Sequence, residues 1–163
     1  MAHNMKNILF VCTANIARSP MAEALFNNKM DQLGLSDHCQ AQSAGTCGKN
    51  GYPADSHGIR VMHERGLDIS SHRSREVNAQ IINSADHIFT MEAGQKEALQ
   101  IEFPQSRSKI VLFTELVGKG YDIVDPYGKG SHDFEEIAIE FENIIEQGIN
   151  QILRLVFAAF FER

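Results

Sequence analysis

The chain has 163 residues, 43% of them hydrophobic, and a formal net charge of -6. That length suits one domain with a real core over residues 1–163, and the acidic balance argues against a nucleic-acid surface. Three irregularly spaced cysteines, Cys12, Cys39 and Cys47, fit reduced thiols in a cytoplasm rather than a secreted disulfide framework. No stretch reads as a membrane span and no apolar leader precedes a small-residue cleavage site. The opening MAHNMK (residues 1–6) is set aside from fold reasoning as a tag remnant or flexible start.

Asn7–Val11 (NILFV) is apolar and β-rich, as in a strand buried on both faces. Ser19 then reads as an N-cap and Pro20 as the first helical residue. Ala22, Leu25, Phe26, Met30 and Leu33 share one helical face, and Gly34 stops that helix. Cys39–Gly45 reads as a second strand. A helix follows, opening with Pro53 and Asp55 and ending at Gly66, and SREVNAQIIN (Ser74–Asn83) reads as a short one. Asp86–Met91 is a third strand, AGQKEALQIEF a helix, and Lys109–Phe113 a fourth strand. After a long Gly-rich loop, one long helix is expected from Asp133, with Ile137, Phe141, Ile144, Ile145, Ile149, Ile152 and Val156 as its apolar stripe. Alternating strands and helices predict an α/β fold: a four-stranded parallel sheet with helices on both faces.

Sites in such sheets form at the carboxyl ends of strands, beside helix N-termini. Cys12 sits at one such end, followed by Thr13, Ala14, Asn15, Ile16 and Ala17, then Arg18 and Ser19. A short loop entering a helix aims backbone N–H groups into one hollow, and the helix dipole adds positive potential there. Such a hollow suits a tetrahedral oxyanion. Arg18 adds a planar fork that can hold two phosphate oxygens. The same field stabilises a thiolate at its floor, placed for in-line attack on phosphorus. Ser19 can hydrogen-bond the sulfur. A bare Cys-x5-Arg is a weak pattern; the preceding strand and the following Ser-Pro helix start give it weight. No nucleotide loop, dinucleotide fingerprint, zincin pair or convincing metal-ligand spacing appears, and neither a cofactor nor a metal is expected.

VCTANIARSP, together with DPYG late in the chain, resembles the low-molecular-weight protein tyrosine phosphatase family. The likeness runs in order through SAGT (Ser43–Thr46), PAD (Pro53–Asp55), DISSHRSR (Asp68–Arg75), DHIFTM and DPYG (Asp125–Gly128). It implies Cys12 as nucleophile, Arg18 as phosphate clamp and Asp125 as general acid and then base. It matches Asn15, Ser43 and His72 to polar residues that buttress the loop. Tyr127 is positioned in sequence to flank a substrate's phenyl ring. Two departures stand out: Ala14 replaces a usual glycine, awkward if that backbone needs a positive φ, and Ala17 replaces a second loop cysteine, so no disulfide can form within the loop. The implied activity is a metal-independent phosphomonoesterase acting on protein phosphotyrosine through a phosphocysteine. Implied partners are phosphotyrosine proteins, a cognate tyrosine kinase, and inorganic phosphate or oxyanion inhibitors.

Three rivals share the pattern. A thioredoxin-linked arsenate reductase needs two further cysteines after the third strand, where TMEAGQKEALQIEF has none. A silent phosphate-binding module would not need Cys12, Arg18 and Asp125 together. In the resembling arginine phosphatases, the position of Ile16 holds threonine, whose hydroxyl can serve a polar leaving group.

Overall fold

Along β1 (Lys6–Cys12) the side chains alternate between two cores: Ile8, Phe10 and Cys12 on one side, Leu9 and Val11 on the other. This strand is therefore buried on both faces, as its unbroken apolar run requires. Residues 4–161 are described in this computed structural model, the side chains of 159–161 excepted. Of the stretch set aside at the start, residues 1–3 lie outside the described residues. Lys6 is part of the fold, since it opens β1 opposite Cys39.

β1 pairs in parallel with β2 (Cys39–Gly45) on one side and β3 (His87–Thr90) on the other, and β4 (Ile110–Leu112) follows β3. The strand order is β2-β1-β3-β4. Helices α1 (Arg18–Gln32), α2 (Ser56–His63), α5 (Ser131–Gln147) and α6 (Ile149–Phe161) cover the larger core. Helices α3 (Ala79–Ser84) and α4 (Ala93–Glu102) cover the other face through Ile82 and Leu99. Phe10, at the centre of the larger core, packs on Phe26, Phe89 and Phe113 at 5.0 to 5.7 Å between ring centroids. The chain leaves β1 for β2 on one side and returns to β3 on the other. Such a reversal of strand order opens a crevice at the carboxyl ends of β1 and β3.

Several element boundaries differ from the expectation. Ser19 does not cap α1; the helix begins at Arg18 after Ala17, and the Ser19 hydroxyl is engaged with Cys12 and Asn15 instead. Pro20 is thus the third helical residue, still within the first turn, where N–H groups lack helical partners. Gly34, at φ 69, ends the helix as expected, but Leu33 is 43% exposed rather than inward. Of the expected helix over 74–83 only the part from Ala79 onward forms, and it runs one residue further, to Ser84. Residues 75–77 instead run parallel to the end of β2: Gly45 N–H donates to Arg75 O and Val77 N–H to Gly45 O, and Asn78 caps what helix remains. The strands β3 and β4 are shorter than predicted by their end residues. The single C-terminal helix is two, broken at Gly148, where a Cβ would lie 2.8 Å from the Ile144 carbonyl and 3.3 Å from Leu116 Cβ.

Candidate active site

Residues 13–17 join the end of β1 to α1, and their carbonyls explain their shape. Cys12 O accepts from Thr46 N at 2.9 Å, Thr13 O from Cys47 N at 2.9 Å, Asn15 O from His72 Nε2 at 2.8 Å and Ile16 O from Asp55 N at 3.0 Å. These donors surround the loop from outside. In a planar trans peptide the next residue's N–H points opposite the carbonyl. The N–H groups of Thr13, Ala14, Ile16 and Ala17 therefore turn inward, over the Cys12 thiol and beside the N-terminus of α1. Inward N–H groups at a helix start form an anion-binding concavity.

Asn15 makes this turn possible. Among the described residues it is the one non-glycine with positive φ, at 57°. Asparagine tolerates that left-handed region better than other side chains. Its buried amide donates to Ser19 Oγ at 2.8 Å and accepts from Arg75 N at 3.0 Å. Ala14, where a glycine was anticipated, does not have positive φ, so its Cβ brings no backbone strain. Close approach falls on Gly45 instead: a Cβ there would sit 2.6 Å from the Thr13 carbonyl oxygen.

Cys12 Sγ lies 3.0 Å from Ser19 Oγ. Asn15 donates to that same oxygen, and toward a Cys12 thiolate, which has no proton to give, the serine hydroxyl is the donor. Arg18 is 1% exposed. Its Nη1 donates to Glu92 Oε1 at 2.6 Å and Ile123 O at 2.8 Å, and its Nη2 lies 3.5 Å from Asp125 Oδ2. A buried guanidinium needs such partners, and they also fix its plane. Asp125 is half exposed, accepts from Tyr127 N at 3.0 Å, and precedes a buried Pro126 that stiffens its backbone. Cys12, Ile16, Ala17, Arg18, Asp125 and Tyr127 line one cavity of about 320 Å³.

Thr13 and Ala14 share that cavity, so the structure brings together the expected nucleophile, clamp, acid and rim. Asn15, Ser19 and His72 stand behind the loop. Burial holds the His72 imidazole below its ordinary value, although its bond to Asn15 opposes this; because the Asn15 carbonyl can only accept, Nε2 carries the proton of that bond. Ser43 does not touch the loop through its hydroxyl, which donates to Glu23 Oε2 at 3.4 Å, while its carbonyl accepts from Arg75 Nε. Burial pushes the Glu23 carboxyl up to about 7 against the pull of Arg75.

Four contributors escape sequence reading: Gly45, Arg75, Glu92 and Gln95. Of these, Glu92 and Gln95 carry a signal, since Glu-x-x-Gln directly after a strand marks a capped helix start. Cys39 is buried away from the site, its thiol pushed up to about 12 by burial and then by Asp86; Cys47 is exposed. Among the described residues no three His, Cys, Asp or Glu side chains gather as a metal-binding group. Among them, too, no helix is long and apolar enough to cross a membrane.

A family model described as low molecular weight phosphotyrosine protein phosphatase matches residues 7–156. The chain is 36% identical over 146 residues, 90% of this chain and 92% of the other, to a probable low molecular weight protein-tyrosine-phosphatase EpsP of Ralstonia nicotianae. It is 35% identical to a protein-arginine-phosphatase of Geobacillus stearothermophilus, over 86% of this chain and 91% of that one. A crystal structure of a low molecular weight protein tyrosine phosphatase from T. tengcongensis superposes with a TM-score of 0.85 at 36% identity, covering 90% of this chain and 99% of that one.

Proposed function

The chain belongs to the low-molecular-weight phosphotyrosine protein phosphatase family, and on that premise we propose that it hydrolyses protein phosphotyrosine through a phosphocysteine, without a metal. The observation that carries this reading is the inward turn of four loop N–H groups over Cys12, with Arg18 fixed beside them.

The steps follow from the positions. The loop N–H groups and Arg18 hold the phosphoryl oxygens above Cys12 Sγ and oppose the charge that develops on them. The thiolate attacks phosphorus as the bond to the tyrosyl oxygen breaks. Asp125, at the cavity wall, gives its proton to that leaving oxygen. Water then attacks the phosphocysteine, Asp125 takes a proton from it, and the S–P bond breaks to release phosphate. The Ser19 hydroxyl, its Oγ 3.0 Å from Sγ, donates to the departing thiolate and stabilises it. The arginine and amides supply the positive charge that a metal would otherwise bring.

A phenyl ring suits the rim. Ile16 offers an apolar side chain and Tyr127 an aromatic one to the same cavity. A phosphoguanidinium placed there would lose water without full replacement, at roughly 1–3 kcal/mol per unsatisfied buried group. That corresponds to about ten- to a hundredfold in selectivity. We place the enzyme in the cytoplasm, with a tyrosine kinase writing the modification it removes.

The test is hydrolysis of an aryl phosphate by wild type and Cys12→Ser, with chelator and without added thiol. Turnover by wild type alone, unaffected by chelator, is expected; substantial hydrolysis by Cys12→Ser would remove Cys12 from the mechanism. Matched peptides carrying phosphotyrosine or phosphoarginine then decide the substrate. Ile16→Thr should shift kcat/KM toward phosphoarginine, and a wild-type preference for phosphoarginine would overturn the assignment.

A further inference from the structure

The turn between β3 and α4 touches three parts of the site at once. Glu92 holds Arg18. Met91 O accepts from Ile123 N at 2.9 Å, and Asp122 Oδ1 accepts from Ala93 N at 2.7 Å, which moors the segment leading to Asp125. The third link is one side chain, Gln95, only 6% exposed. Its Oε1 accepts from Met91 N and Glu92 N, each at 3.0 Å, and its Nε2 donates to Thr13 Oγ1 at 3.0 Å.

We propose that Gln95 is a positioning residue that sets the phosphate clamp by tying Thr13 of the oxyanion loop to the turn that presents Glu92 to Arg18. A planar carboxamide suits this task because its two ends have opposite polarity. The acceptor end gathers two converging N–H groups, and the donor end reaches the threonine hydroxyl. The bonds fix the backbone of Glu92, and so the place from which its carboxylate meets Nη1. They also fix Thr13, whose N–H and whose neighbour's N–H turn into the oxyanion hollow. A side chain that merely capped α4 would need only the acceptor end. The bond to Thr13, far away in sequence, extends its reach to the loop.

The inference rests on the proposed phosphoryl site, so binding is measured apart from turnover. Inorganic phosphate is titrated calorimetrically into wild type, Gln95→Met, Thr13→Val and the double variant, with KM and kcat for an aryl phosphate and Tm recorded alongside. Gln95→Met is expected to weaken phosphate binding and raise KM by roughly tenfold, the scale of one well-placed hydrogen bond. Thr13→Val should weaken binding in the wild-type background and add little in the Gln95→Met background. Thr13→Ser, which keeps the hydroxyl, should restore affinity. Should Gln95→Met not fold, Gln95→Asn takes its place: it is neutral and one methylene too short to span both contacts. Variants of Gln95 that lower Tm yet keep phosphate affinity and KM within twofold of wild type would show a cap and nothing more, and overturn the proposal. Full additivity of the two substitutions would overturn it as well. A wild type that binds phosphate but does not turn over aryl phosphate would instead sink the proposed function, leaving the binding cycle to decide on Gln95.

Discussion

Replacing Asn15 separates the backbone demand of the loop from its hydrogen bonds. Asn15→Ala keeps a Cβ at φ 57 and removes both side-chain bonds, leaving Ser19 Oγ and Arg75 N without that partner. Each lost buried bond costs about 1 kcal/mol, and more where a group stays unsatisfied. An ordinary L residue in the left-handed region adds roughly 1–2 kcal/mol. The expected loss is therefore about 3–5 kcal/mol, a large share of a typical domain's stability. Asn15→Gly loses the same two bonds but not the strain. It should stay more stable than Asn15→Ala by about 1 kcal/mol, or about 2–4 °C in Tm for a chain of this size. Urea unfolding of the three proteins, with phosphate affinity measured on each, gives the comparison. Both variants should bind phosphate more weakly than wild type, because the inward N–H of Ile16 hangs on the same turn. An alanine variant as stable as the glycine variant would refute the role of the positive φ. Two variants within 1 kcal/mol of wild type would refute the weight given to the buried bonds.

Gly45→Ala places a Cβ 2.6 Å from Thr13 O and 3.1 Å from Asn15 N, so the loop must shift; about 1–3 kcal/mol of destabilisation and a clear fall in kcat/KM are expected. Gly94→Ala, with nothing within 4 Å, is the control that should lose neither. Asp125→Asn should slow an ester with a poor leaving group, such as phenyl phosphate, by about 10²–10⁴-fold and a nitrophenyl ester less; equal losses would assign Asp125 a structural role only. His72 and Glu23 give opposite pH slopes. The lowered His72 contributes stability that is complete above 6.5 and is lost as acid charges the ring, so His72→Gln should flatten that acid loss in urea titrations. The raised Glu23 contributes stability that is complete below 4.5 and is lost as pH rises through about 7, so Glu23→Gln should be the more stable relative to wild type at pH 8 than at pH 4.

The fold was legible because its signals are periodic. The apolar run of β1, the alternation of helices and strands, and the stop at Gly34 all act within a few residues of themselves. The misread elements are those where a distant partner decides. Ser19 looks like a cap until the Cys12 sulfur and the Asn15 amide occupy its hydroxyl. Residues 75–77 look helical until the free edge of β2 at Gly45 offers them hydrogen bonds. The C-terminal stripe continues through Gly148 in sequence, but Leu116 and the Ile144 carbonyl leave room there only for a hydrogen. The same division holds in the site. Cys12, Arg18 and Ser19 belong to one local stretch, whereas Glu92 and Gln95 acquire meaning only when strand order brings the end of β3 against the end of β1.

That division also explains in physical terms why the family likeness lies in scattered short stretches. An oxyanion loop needs its N–H groups turned inward, so each carbonyl needs a donor from outside. SAGT ends with Thr46, whose N–H holds Cys12 O, and the next residue's N–H holds Thr13 O. PAD ends with Asp55, whose N–H holds Ile16 O while its carboxylate caps α2. DISSHRSR supplies His72 to Asn15 O and the Arg75 N–H to the Asn15 side chain. DHIFTM ends with Met91, whose carbonyl moors Ile123, which in turn accepts from Arg18 two residues before Asp125 in DPYG. The first three stretches are thus brackets on one loop, and the last two moor the clamp and the acid beside it. Retaining Cys12 and Arg18 while losing these brackets would leave the carbonyls free to turn inward, and a hollow lined by carbonyl oxygens repels the phosphoryl group that the inward N–H groups attract.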